Sequence, residues 1–179
     1  SAPPSKSLAH RSLICAALAQ GQSVVTNVDY SQDILATLDC IKALGAKVEC
    51  QGDKVTISGI GIKDDGGQTP GDGEEGGQTP KEITFNCRES GSTLRFFIPM
   101  GILFAQKSEF TGSKVLMTRP QSIYEDLCKK EAIKFERQEN KILIDTNGKK
   151  LHSGIYELAG NISSQFITGL LFTLPLLEG

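Results

Sequence analysis

Lys6, Ser7 and Arg11 stand close together at the start of an apolar run, and their chemistry suits an anion. Pro3 and Pro4 stop whatever precedes them, and Ser5 can cap a helix by accepting from a backbone N–H two or three residues on. Unpaired N–H groups, the positive end of the helix dipole, two cations and two hydroxyls then gather at one helix end. Such an end takes a phosphate or a carboxylate. A solvated first turn is the plain alternative. Cations there oppose the dipole, however, so their accumulation points to a bound negative charge. Leu8, Ile14, Cys15, Ala17 and Leu18 predict that this helix is buried along most of its length.

The same arrangement recurs twice. Ser90-Gly91-Ser92 opens a helix from Thr93 to Ala105, apolar nearly all round and carrying Pro99, which can kink it. Asn161-Ile162-Ser163-Ser164-Gln165 opens another, with an oily body through Leu174. Three buried helices that run roughly parallel would aim their N-termini at one surface, rich in orphan N–H groups.

Other elements must hold these helices. Ser23–Val28 reads as a strand, and Ser31 caps an amphipathic helix from Gln32 to Leu44, closed by Gly45. Lys47–Cys50 and Lys54–Ser58 read as strands joined by a turn at Gln51-Gly52-Asp53. Glu82–Cys87 and Ser108–Gly112 read as strands around the second buried helix. A loop, Met117–Pro120, leads to an amphipathic helix, Ile123–Ala132, and a hairpin pairing 134–136 with 142–145. Gly154–Leu158 reads as a further strand. The order strand, helix, strand, helix, hairpin thus runs nearly twice and begins a third time. Unit one covers about 1–58, unit two about 82–146, and an incomplete unit three 150–179. Between the first two, Gly66-Gly67-Gln68-Thr69-Pro70 repeats as Gly76-Gly77-Gln78-Thr79-Pro80 in an acidic, glycine-rich stretch, about 60–81, that can bury no core. Both ends read as cut from a longer protein.

Composition bounds the reading. The chain has 179 residues, 39% hydrophobic, with a formal net charge of −2, which fits one globular domain and excludes disorder or a general nucleic-acid binder. No apolar run reaches membrane-spanning length. Cys15, Cys40, Cys50, Cys87 and Cys128 are scattered without a CxxC pair, which predicts reduced thiols and a cytoplasmic setting. His10 and His152 are too few for a histidine-rich metal site, and no cofactor is implied.

Four motifs in this order resemble those of the enolpyruvyl transferase family, in the branch of the 5-enolpyruvylshikimate-3-phosphate synthases. They are Ser5-Lys6-Ser7 with Arg11, Glu89-Ser90-Gly91-Ser92-Thr93-Leu94-Arg95, Arg119-Pro120 and Ser163-Ser164-Gln165. The resemblance implies an α/β (α+β) lobe of repeated βαβαββ units, pseudo-threefold, with helices inside and four-stranded mixed sheets outside. It implies transfer of the enolpyruvyl group of phosphoenolpyruvate to shikimate-3-phosphate, on the shikimate route to aromatic amino acids, by a monomeric enzyme that is the target of glyphosate. By the same resemblance Lys6 bridges both substrates, and Ser7 and Arg11 hold the shikimate moiety. Gly91, Arg119 and Gln165 meet phosphoenolpyruvate, while Ser163 and Ser164 bind the 3-phosphate. Glu89 departs from the family's Asn and puts a negative charge beside an anion site. The acid/base groups belong to a second lobe, so this piece is expected to be inactive alone. Partners other than those substrates and that lobe, such as nucleic acid or membrane, are not implied.

Two alternatives share the fold. A UDP-N-acetylglucosamine enolpyruvyl transferase would begin its first helix with Lys-Asn and carry a loop cysteine, and Lys114–Thr118 has none. A non-catalytic binding module would keep the helices without recognising shikimate-3-phosphate.

Overall fold

The computed structural model describes residues 3–61, 82–158 and 163–177. The glycine-rich repeat and Asn161-Ile162 lie outside the described residues. Helix α1, Lys6–Leu18, is followed by strand β1, Gln22–Val25, helix α2, Gln32–Ala43, and strands β2, Lys47–Gln51, and β3, Lys54–Ser58. Strand β4, Glu82–Asn86, helix α3, Gly91–Phe104, and strand β5, Lys107–Thr111, come next. Helices α4, Lys114–Thr118, and α5, Ser122–Lys130, lead to strands β6, Lys134–Arg137, and β7, Lys141–Asp145. Helix α6, Ser164–Thr173, ends in a short 3-10 turn, Leu174–Leu176.

The strands form two sheets. The second, in the order β4-β5-β7-β6, is mixed: β4 pairs parallel with β5, and the rest is antiparallel. The first, β1-β3-β2, has three strands, all antiparallel, where four mixed strands were expected. β4 precedes α3 and supplies the parallel member of the second sheet, whereas no strand precedes α1 among the described residues. Gly154–Leu158 is not a strand either. No described strand lies alongside to take its N–H groups, and Ile155 is left 87% exposed. Lys114–Thr118, read as part of a loop, makes one helical turn because Ser113 caps it, its Oγ accepting from Leu116 N at 3.2 Å.

Helix α3 is the centre of the core. Phe85 of β4 and Phe110 of β5 stand opposite each other with rings stacked at 5.0 Å, and Phe97 of α3 tilts onto Phe85 at 5.6 Å. Gly101 brings the helix backbone down on β5, since a Cβ there would lie 2.7 Å from both Phe110 and Ser108. On its other side α3 packs against α6, its most extensive helical neighbour. Burying such phenylalanines contributes about 2–3 kcal/mol each.

Helix α1 shows a different buried face from the expected one. Ala9, His10, Leu13, Ile14, Ala16 and Ala17 are buried, while Leu8 is 66% exposed and Cys15 is exposed. The inward stripe follows the 3.6 period from position 9, whereas composition alone cannot say which side of a nearly all-apolar helix faces in. Ser31 sits at the cap position of α2, yet its side chain makes no cap bond. No helix among the described residues is long and apolar enough to cross a membrane.

Candidate functional site

The starts of α1, α3 and α6 meet on one face, joined by side-chain hydrogen bonds. Each is capped by the serine before it. Ser5 Oγ accepts from Leu8 N, Ser90 Oγ from Thr93 N at 3.1 Å, and Ser163 Oγ from Gln165 N at 3.3 Å. Such caps contribute about 1 kcal/mol each and leave the remaining first-turn N–H groups pointing outward.

Gly91 and Arg119 are in contact. A Cβ on Gly91 would come 2.5 Å from Arg119 Nη1, so the guanidinium lies on the first turn of α3 in space that only a glycine leaves free. The loop that carries Arg119 is clamped from behind. Arg137 donates to the carbonyl of Arg119 at 2.7 Å and to that of Met117, and pairs with Glu125 at 3.1 Å. Arg95, one turn into α3, donates to Gln165 Oε1 at 2.7 Å and lies over the Phe166 ring at 4.8 Å. Burial holds its guanidinium below the usual arginine range, and the charge of Arg119 adds to the effect. Gln165 also donates to Ser92 Oγ at 2.7 Å, which ties the start of α6 to the start of α3. Neither Arg95 nor Arg119 pairs with a carboxylate among the described residues. Two cations and a helix N-terminus without a counter-charge make a strong field for an anion.

Lys6, Ser7 and Arg11 flank this group. Arg11 Nη1 donates to both the carbonyl and the hydroxyl of Ser7 at 2.8 Å. Its Nη2 reaches Thr168 Oγ1 at 3.3 Å, and the group stacks over Phe96 at 5.5 Å. Arg11 therefore staples α1 to α6. Lys6 Nζ lies 2.7 Å from Asp33 Oδ2 on α2. That hydrogen bond, then the charge of Asp33, raises the Lys6 pKa, so the group is a cation. Asp33 is held low by the same bond, against some burial, and by the charge of Lys6 and a hydrogen bond from Ser90. The Thr93 hydroxyl lies 3.4 Å from the Asp33 carbonyl and 2.8 Å from Ser90 Oγ, and Ser90 precedes Gly91, which connects Lys6 to the Gly91–Arg119 contact.

Seven of the eight expected residues thus belong to one network: Lys6, Ser7, Arg11, Gly91, Arg119, Ser163 and Gln165. Ser164 is exposed on the same helix start, its carbonyl accepting from Thr168 at 3.1 Å. Sequence reasoning missed Asp33, which faces Lys6 across 27 positions, and Arg137, whose role as a clamp leaves no local signal. A groove lined by Thr84, Lys107, Glu109 and Glu136 crosses the second sheet away from these helix ends.

A family profile described as EPSP synthase (3-phosphoshikimate 1-carboxyvinyltransferase) matches residues 1–179. The chain belongs to the EPSP synthase family. The 3-phosphoshikimate 1-carboxyvinyltransferase of Clostridium beijerinckii is 44% identical over 177 residues, 99% of this chain and 39% of that one. The one from Clostridioides difficile is 42% identical over 176 residues, 98% of this chain and 39% of that one. In structure, the EPSP synthase from Acinetobacter baumannii matches with a TM-score of 0.76 at 25% identity, over 100% of this chain and 38% of that chain. The chain therefore spans well under half the length of the EPSP synthases it matches, and its fold corresponds to one part of theirs.

Proposed function

We propose that this chain forms one wall of the active site of a 3-phosphoshikimate 1-carboxyvinyltransferase. The whole enzyme moves the enolpyruvyl group of phosphoenolpyruvate onto the 5-hydroxyl of shikimate-3-phosphate and releases phosphate. One observation carries the reading: Arg119 lies against Gly91 at the start of α3, with Arg95 beside it and neither paired with an acid among the described residues. Gly91, Arg119 and Gln165 take phosphoenolpyruvate. Ser163 and Ser164 take the 3-phosphate, Ser7 and Arg11 the shikimate ring, and Lys6 spans the two substrates. The substrates are soluble metabolites, which fits a cytoplasmic enzyme.

Bringing two anions together is the main electrostatic task, and these cations serve it. In the reaction the 5-hydroxyl gives up its proton and adds to C2 of phosphoenolpyruvate as C3 gains one, and the tetrahedral adduct then loses a proton from C3 and expels phosphate. Lys6 acts as a fixed charge, since its pairing with Asp33 disfavours the neutral base. The proton-transfer groups come from a second lobe of the same protein, so this chain binds without turning over. Calorimetric titration with shikimate-3-phosphate, beside an assay of phosphate release, tests the reading. Binding that Arg11→Ala weakens about tenfold, with no release above background, is expected. No binding, or binding of UDP-N-acetylglucosamine in its place, would sink it.

A further inference from the structure

Three side chains close a hydrogen-bonded loop between α3 and α6. Arg95 Nη1 donates to Gln165 Oε1 at 2.7 Å. Gln165 Nε2 donates to Ser92 Oγ, one turn back along α3, also at 2.7 Å. Arg95 is fixed at both ends. Its carbonyl accepts from the Tyr124 hydroxyl at 2.7 Å, and its guanidinium lies 4.8 Å over the Phe166 ring. Phe166 follows Gln165 on α6 and packs edge-on against Tyr124 at 5.0 Å.

Counting donors fixes which way the Gln165 amide faces. A guanidinium has only donors, so the amide atom that meets Arg95 must be the oxygen. Turned over, the amide would set N–H against N–H there. With Oε1 held by Arg95 and one N–H spent on Ser92, Gln165 keeps one N–H. Ser92 accepts from the amide and keeps its own hydroxyl proton. Neither proton has an acceptor among the described residues. Both side chains are half-buried, and Ser92 follows Gly91, against which Arg119 rests. Two unspent donors thus stand near the Gly91–Arg119 contact, while the amide oxygen, which would repel an anion, is spent on Arg95.

We propose that Arg95 is a positioning residue of the anion site: by holding the Gln165 oxygen it leaves the Gln165 N–H and the Ser92 hydroxyl as donors for a phosphate or carboxylate bound at Gly91 and Arg119. Which metabolite carries that anion rests on the reading above; the orientation of the amide does not. Arg95 acts through Gln165. Arg95→Lys keeps the charge and a donor, whereas Arg95→Met keeps the stem and loses both.

NOE spectra of the 15N-labelled chain read the amide, and calorimetry with phosphoenolpyruvate, and separately with inorganic phosphate, reads the consequence. In the unaltered chain the Gln165 Nε2 protons should show contacts to the Ser92 β protons. Arg95→Met should free the amide, erase those contacts and weaken anion binding about tenfold. Arg95→Lys should restore the contacts and most of the affinity. Gln165→Leu alone should also cost about tenfold, and adding Arg95→Met to it should cost at most about threefold more. Additive losses, or an amide without Ser92 contacts in the unaltered chain, would overturn the proposal, as would contacts that Arg95→Met leaves in place. If the chain ignores phosphoenolpyruvate but binds phosphate with this pattern of losses, the proposal stands and the functional reading falls. Binding of neither anion sinks both.

Discussion

Pro99 sits inside α3 and has no N–H to give the Arg95 carbonyl one turn back. Tyr124 of α5 takes the vacant place, its hydroxyl donating to Arg95 O at 2.7 Å, with Phe166 O also in reach at 3.2 Å. The tyrosine is fully buried, and burial pushes its pKa far up, so it acts only as a donor. Tyr124→Phe keeps the packing against Phe166 and leaves the carbonyl with no described partner. Leaving a buried acceptor orphaned costs about 1–3 kcal/mol, and about 2 kcal/mol is expected here. For a chain of this length that lowers Tm by about 4–8 °C. Pro99→Ala restores the helical N–H. In that background Tyr124→Phe should cost at least about 1 kcal/mol less, because the carbonyl has regained a donor. Urea unfolding of the four proteins of the cycle measures both numbers. Additivity within about 0.3 kcal/mol would refute the idea that tyrosine compensates for proline.

Two glycine substitutions should separate binding from folding. A methyl at Gly91 meets the mobile tip of Arg119, so Gly91→Ala should barely change Tm yet weaken binding of phosphoenolpyruvate about tenfold or more by calorimetry. A methyl at Gly169 meets the Arg95 backbone carbonyl and the oxygen of the buried Tyr124, each at 2.4 Å, so Gly169→Ala should lower Tm by several degrees. His10 sets a pH window. Its pKa falls from an unfolded value near 6.5 to about 4, so the unfolded chain binds more protons between them, and stability should be full above that window and drop as pH falls through it. The loss approaches about 3 kcal/mol below pH 4, and His10→Asn should flatten this part of the Tm–pH curve.

The elements with local causes were legible before any coordinates. Ser5, Ser90 and Ser163 each precede a helix because their side chains cap it, and β-branched alternation marked Lys54–Ser58. The four motifs were visible in the sequence because each places a residue type suited to phosphate at a helix start or in a loop. Other features depended on distant partners. Gly154–Leu158 has strand composition and no strand beside it among the described residues, and it stays irregular. Leu8 looked like core and faces outward, because the side of α1 that turns inward is chosen by what α2 and α3 present to it.

The sequence alone therefore determined the helix starts, the family and the kinds of group gathered at those starts, since caps, motifs and composition act over a few residues. Only the tertiary structure decided that Lys6 is held by Asp33, that Arg119 rests on Gly91, and that His10 of α1 meets Thr37 of α2 at 2.7 Å. Those facts depend on contacts between helices far apart in the chain. A hydrogen bond needs its two atoms within about 3 Å, and only packing sets that distance.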